Sequence, residues 1–189
     1  MIKILSRIVN GAKGTITSTI KGSSDIGSTT ITVVKNITVS IFKETGDVLR
    51  EGIQVPAAVV KGTIDGLSEI GVSIIKAVKG VVDGTVQGAM LSGVEQKPAV
   101  KGAISQALYS AKELGMDIGD TAVQSVLGAV NGVKQIGGDT GKATITSVKT
   151  VLSVAKEISD EALLAVKGAL KGSIDGAEDI IKEFESKKE

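Results

Sequence analysis

The sequence predicts an all-α protein made of four long amphipathic, glycine-rich helices, arranged as an antiparallel bundle or an extended helical assembly. Three observations predict it. In residues 77–89, AVKGVVDGTVQGA, an advance of about 100° per residue gathers Val78, Val81, Val82, Val86 and Ala89 on one apolar arc. Lys76, Lys79, Asp83 and Gln87 fall on a narrow polar arc, and Gly80, Gly84 and Gly88 form a column at the border. Residues 165–177, AVKGALKGSIDGA, repeat that map, with Gly168, Gly172 and Gly176 as the column. Second, apolar residues return every three or four positions through the runs 1–45, 57–94, 99–136 and 142–184. Third, Val-Lys-Gly begins at Val60, Val78, Val100 and Val166, with degenerate copies at Val126 and Val148. The intervals of 18, 22, 26, 22 and 18 residues return the motif to nearly the same helix face.

Composition narrows the function more than it names it. Aromatics are 2% of the 189 residues, so the core must be built from Val, Ile, Leu and Ala. There is no cysteine and no histidine. That removes disulfides and thiolate chemistry, together with the usual general base and commonest metal ligand. The net charge of +1 divides into +4 over residues 1–50 and −3 over the remainder. Such a balance is far from the dense basic stripe of a nucleic-acid binder, so no nucleic-acid partner is expected. The longest uncharged stretch, 121–133, is thirteen residues, short of the roughly 20 a membrane-spanning helix needs. Lys3 and Arg7 interrupt the beginnings of any secretory signal, which makes a cytoplasmic location the expectation, peripheral to a membrane or lipid body if lipid is bound.

The elements follow in order. In residues 1–21, Ile2, Ile4, Leu5, Ile8, Val9, Ala12, Ile16 and Ile20 cover one half of a helical wheel, and Lys3, Arg7, Asn10 and Lys21 the other. No acid precedes Asp25. A helix of this kind suits an anionic lipid interface, with Ile2, Leu5, Ile8, Val9, Ile16 and Ile20 facing lipid and Lys3, Arg7, Lys13 and Lys21 meeting headgroups; it equally suits the first helix of a bundle. Residues 23–43 carry a strand-like alternation at Ile31, Val33, Lys35, Ile37, Val39 and Ile41. A three-and-four step from Ile16 to Val48 runs through the same stretch and favours helix. Gly46 and the 52–56 segment mark the first break, 95–98 with Pro98 the second, and GGDTGK at 137–142 the third. The charged residues 185–189 form a tail. Runs of about 40 residues would each be roughly 60 Å long.

Candidate chemistry is sparse. GGDTGK has Ile136 and Ala143 where a phosphate loop needs Gly and Ser or Thr, so it reads as a helix break. The carboxylate groups Asp117/Asp120, Asp160/Glu161 and Asp175/Glu178/Asp179 read as solvated helix faces among lysines. No enzyme activity, metal, cofactor or small-molecule substrate is expected. The glycines carry the signal instead, in pairs four apart at 62/66, 80/84, 84/88, 115/119, 128/132, 137/141, 168/172 and 172/176. Each interior glycine costs about 1 kcal/mol relative to alanine, and something must offset that. Either helices close over the columns formed by Gly62, Gly66, Gly80, Gly84, Gly88, Gly128, Gly132, Gly168, Gly172 and Gly176, or the chain becomes helical on a surface.

Val60-Lys-Gly-Thr-Ile-Asp-Gly, Val78-Lys-Gly-Val-Val-Asp-Gly and Val166-Lys-Gly-Ala-Leu-Lys-Gly resemble the eleven-residue amphipathic repeats of perilipins and synucleins over residues 58–176. The four-run layout is similar in outline to exchangeable apolipoproteins. The resemblance implies a helical coat on lipid droplets or vesicles. The expected function is therefore a non-enzymatic amphipathic-helix protein on a lipid surface. The alternative is a soluble scaffold that self-associates through glycine-column packing.

Overall fold

The computed structural model describes residues 2–21, 25–45 and 52–186. Among the described residues the chain is all helical: α1 (Ile2–Ile20), α2 (Ile26–Thr45), α3 (Gln54–Glu69), α4 (Ile74–Leu91), α5 (Gln96–Glu113), α6 (Ile118–Gln135), α7 (Thr140–Ile158), α8 (Asp160–Lys171) and α9 (Ala177–Ser186). The stretch with competing strand alternation is α2, so the three-and-four step prevails there. Residues 46–51, around the first expected break, and 187–189 of the tail lie outside the described residues; Glu185 and Ser186 belong to α9.

Among the described residues nine shorter helices stand where four long ones are expected, because turns divide the runs 57–94, 99–136 and 142–184. Gly71, Gly93, Gly115 and Gly137 all have positive φ, from 66° to 91°. They recur every 22 residues, one 18-residue helix plus a four-residue turn. The turns share one hydrogen-bond pattern. The N–H of Gly71 donates to Ser68 and that of Val72 to Leu67, each at 3.1 Å. Gly93 and Val94, Gly115 and Met116, and Gly137 and Gly138 repeat the pair. The left-handed residue lets the chain satisfy the last carbonyls of one helix while turning away from it. After the last two of these turns the next helix starts on a side-chain cap. The Asp117 carboxylate accepts from the Asp120 N–H at 2.7 Å, and that of Asp139 from the Lys142 N–H at 2.9 Å. Ser159, which divides the last run, caps α8 by accepting from the Ala162 N–H. Pro56 and Pro98 sit inside the first turns of α3 and α5, where a missing N–H leaves nothing unsatisfied. The helices therefore begin slightly before the prolines rather than after them.

The reversals build two layers. Alternate helices pack side by side, α1, α3, α5, α7 and α9 in one layer and α2, α4, α6 and α8 in the other, and consecutive helices tie the layers together. Each helix thereby buries its apolar face on its neighbours. α4 lies at the centre, against α2, α3, α5 and α6. Its residues 77–89 are all buried except Lys79. The polar arc of that helix is thus only half solvated: Lys76 and Lys79 are exposed, whereas Asp83 is fully enclosed. The Asp83 carboxylate accepts from the side-chain amides of Gln87, at 2.6 Å, and Asn131 of α6. Burial of an acid is tolerable when its oxygens are so occupied.

The glycine columns hold the layers close. A methyl carbon on Gly84 would lie 2.5 Å from the Ile31 carbonyl oxygen of α2, and one on Gly88 would lie 2.7 Å from that of Lys35. Gly80 stands over the Gly27 carbonyl of the same helix. In the other layer Gly62 meets the Val9 carbonyl of α1, and Gly66 meets that of Lys13. Gly128 and Gly132 seat α6 on the Lys79 and Asp83 carbonyls of α4. Three of the columns are thus points where one helix rests on the backbone of another. Gly168 and Gly172 depart from this expectation: nothing lies within 4 Å of a methyl at either. Gly176 is a turn residue with φ 75°. The second copy of the glycine map runs from α8 into the turn after it, and among the described residues no helix closes over Gly168 or Gly172.

Candidate ligand groove and terminal faces

Where a glycine column is missing, the layer opens. α7 has only Gly141, in its first turn, and α5 only Gly102, which is taken up by the Ile53 carbonyl beside α3. No glycine lets α7 settle onto α5, so side chains hold the two helices apart. The result is a groove of about 880 Å³, within the range of ligand sites. Lys97, Lys101, Ser105 and Tyr109, each four residues on from the last, form the α5 wall. Lys142, Ile145, Thr146, Lys149, Thr150, Ser153 and Val154 form the α7 wall, and Ile53 closes the side nearest α3.

Both ends are bridged. At one, the Gln96 amide donates to the Asp139 carbonyl at 2.8 Å and accepts from the Asp139 N–H at 3.0 Å. At the other, the Tyr109 hydroxyl donates to the Glu157 carboxylate. That bond raises the phenol pKa above its ordinary value, with burial and the Glu157 charge acting in the same direction. Asp139 is held below the usual carboxylate range chiefly by the backbone N–H of Lys142. The charges divide unevenly between the walls. Lys142 lies 3.5 Å from Asp139, and Lys149 lies 2.9 Å from Glu183 of α9. Lys97 and Lys101 are exposed and form no ion pair among the described residues. The groove therefore offers the exposed cations Lys97 and Lys101 at its Gln96 end, hydroxyls along its length, and apolar patches at Ile53 and Ile145.

The N-terminal residues are arranged differently from the lipid expectation. Ile8, Ile16 and Ile20 are buried, and Leu5 and Val9 half-buried, because this arc is the one α1 sets against its neighbours in the stack. Ile2 opens α1, but its side chain lies outside the described residues. Instead of lipid-facing isoleucines, the exposed side of α1 carries Lys3, Arg7, Gly11 and Gly14, with Ile4 42% exposed, and the exposed Lys21 follows its end. Lys13 is drawn off to Glu69 of α3, 2.6 Å away. At the opposite end of the stack, Leu164 is 68% exposed beside Gly168 and Gly172 on α8.

The carboxylate groups singled out by spacing behave as helix starts. Asp117 caps α6, with Asp120 in its first turn, and Asp160 and Glu161 open α8. Glu178 and Asp179 open α9. Among the described residues no helix is long and apolar enough to cross a membrane. The groove itself escaped sequence reasoning. Its signals were the single tyrosine and the four-residue spacing of Lys97 and Lys101, which look ordinary until α5 and α7 are known to be neighbours. No protein-family model matches the chain, and no curated protein matches it.

Proposed function

We propose that this chain is a non-enzymatic helical-repeat scaffold, a stack of short helices that works through its surfaces. One observation carries the reading: the apolar arcs and most of the glycine columns are already engaged within the chain itself. Gly62, Gly66, Gly84, Gly88 and Gly132 each stand less than 3.0 Å, measured from a methyl position, from an atom of a neighbouring helix. A helix that coats lipid must instead have its apolar arc free. Self-association of this scaffold falls to the columns left open, Gly168 and Gly172 beside Leu164. Sedimentation velocity tests it. Leu164→Glu should shift any oligomer toward monomer while leaving helicity unchanged, and an oligomer indifferent to that change would exclude this face.

A second reading keeps the lipid surface as partner, now reached through charge rather than insertion. It is favoured by the exposed Lys3 and Arg7 on α1 and Lys21 just after it, each contributing on the order of 1 kcal/mol near an anionic membrane. Reversing Lys3 and Arg7 to Glu should weaken co-sedimentation with phosphatidylserine vesicles, most visibly at low salt. Binding unchanged at every ionic strength would remove α1 from any such role.

A further inference from the structure

We infer that the groove between α5 and α7 is a docking site for an extended acidic segment of a partner protein, with carboxylates at alternate positions. Spacing and charge both point there. Lys97 and Lys101 lie one above the other on the α5 wall, four residues or about 6 Å apart along the helix axis. Alternate side chains of an extended strand point the same way and repeat at about 6.7 Å, so two carboxylates separated by one residue meet the two ammonium groups in register. Among the described residues these lysines form no ion pair, unlike Lys149, whose charge is taken by Glu183. From Lys97 to Tyr109 the wall runs twelve residues, about 18 Å, which five or six extended residues span. The segment's intervening side chains turn toward Ile145, whose side is 44% exposed. The hydroxyl of Ser105 lies along the path for backbone groups that a lone strand leaves unpaired.

The site contains its own reporter. Tyr109 is the single tyrosine of a chain with no tryptophan, and it closes one end of the groove. The probe is a blocked hexapeptide of alternating Glu and Ile, titrated into the full chain and followed by Tyr109 fluorescence and by calorimetry. A saturable response is expected in both. Lys97→Glu with Lys101→Glu should lower the affinity by about tenfold or more, as like charges are set against the carboxylates. Reversal of Lys76 and Lys134, exposed residues outside the groove, changes net charge equally and should leave the affinity nearly unaltered. Ser105→Trp fills the groove without changing charge and should also abolish the response, with circular dichroism confirming that each variant is folded. The inference is overturned by no saturable response, by equal losses in the two charge-reversed pairs, or by equal binding of a Glu/Ser peptide. A response to a monomeric fatty acid but not to the peptide would overturn it as well, assigning the groove to a lipid.

Discussion

Gly84 and Gly168 both belong to the glycine columns of two copies of one sequence pattern, yet their surroundings are opposite. At Gly84 a methyl would press on the Ile31 carbonyl, whereas at Gly168 it would enter open space. Overpacking costs about 1–3 kcal/mol, and a backbone oxygen has little freedom to give way. That exceeds the gain of up to about 1 kcal/mol from helix propensity. Gly84→Ala should therefore lower the melting temperature, and Gly168→Ala should raise it slightly. Thermal melts of the two single variants check this, and shifts of the same sign would contradict the assigned packing. Tyr109 permits a second test at this scale. Its folded-state pKa is raised by the bond to Glu157, so the stabilisation from that bond is complete below the ordinary tyrosine pKa. It is lost as pH rises through the raised value. Glu157→Gln removes the charge and should let tyrosinate form at lower pH, as read from its ultraviolet absorbance. An unchanged titration would mean that the bond does not persist in solution.

At the scale of elements, the chain is punctuated by glycines of two kinds. Gly115 has φ 66° and turns the chain, while Gly128, thirteen residues later, lies inside α6 against the Lys79 carbonyl. A left-handed alanine costs about 1–2 kcal/mol, so Gly115→Ala should destabilise although space is open around it. Asp117→Ala removes the cap beside it and should cost about 1 kcal/mol. Denaturant unfolding measures both, and a stabilised Gly115→Ala variant would rule out the turn. These two kinds of glycine explain what the sequence made legible. Helical periodicity was plain, since Val, Ile and Ala recur at three and four throughout α3 to α7. The reversals at Gly71 and Gly115 were hidden because a glycine in a column and a glycine in a turn are the same letter. Only the 22-residue recurrence of Gly71, Gly93, Gly115 and Gly137, each two residues before Ser, Glu or Asp, separates them.

At the scale of the molecule, an amphipathic arc predicts burial but not the partner that provides it. The wheel of α1 grouped Ile8, Ile16 and Ile20 correctly, yet it could not distinguish a membrane from a neighbouring helix. The stack supplies the helix: Gly62 and Gly66 bring α3 down onto the α1 backbone. The groove was illegible for the same reason, since it exists only because α5 and α7, 44 residues apart in sequence, lie side by side without a glycine column. A chain that buries its own apolar arcs needs no lipid to fold in water. Circular dichroism of the full chain in buffer, then with phosphatidylserine vesicles, tests it most directly. Full helicity and a single cooperative melt are expected in buffer, with no helicity added by vesicles. A largely unstructured chain in buffer that becomes helical only on vesicles would contradict it.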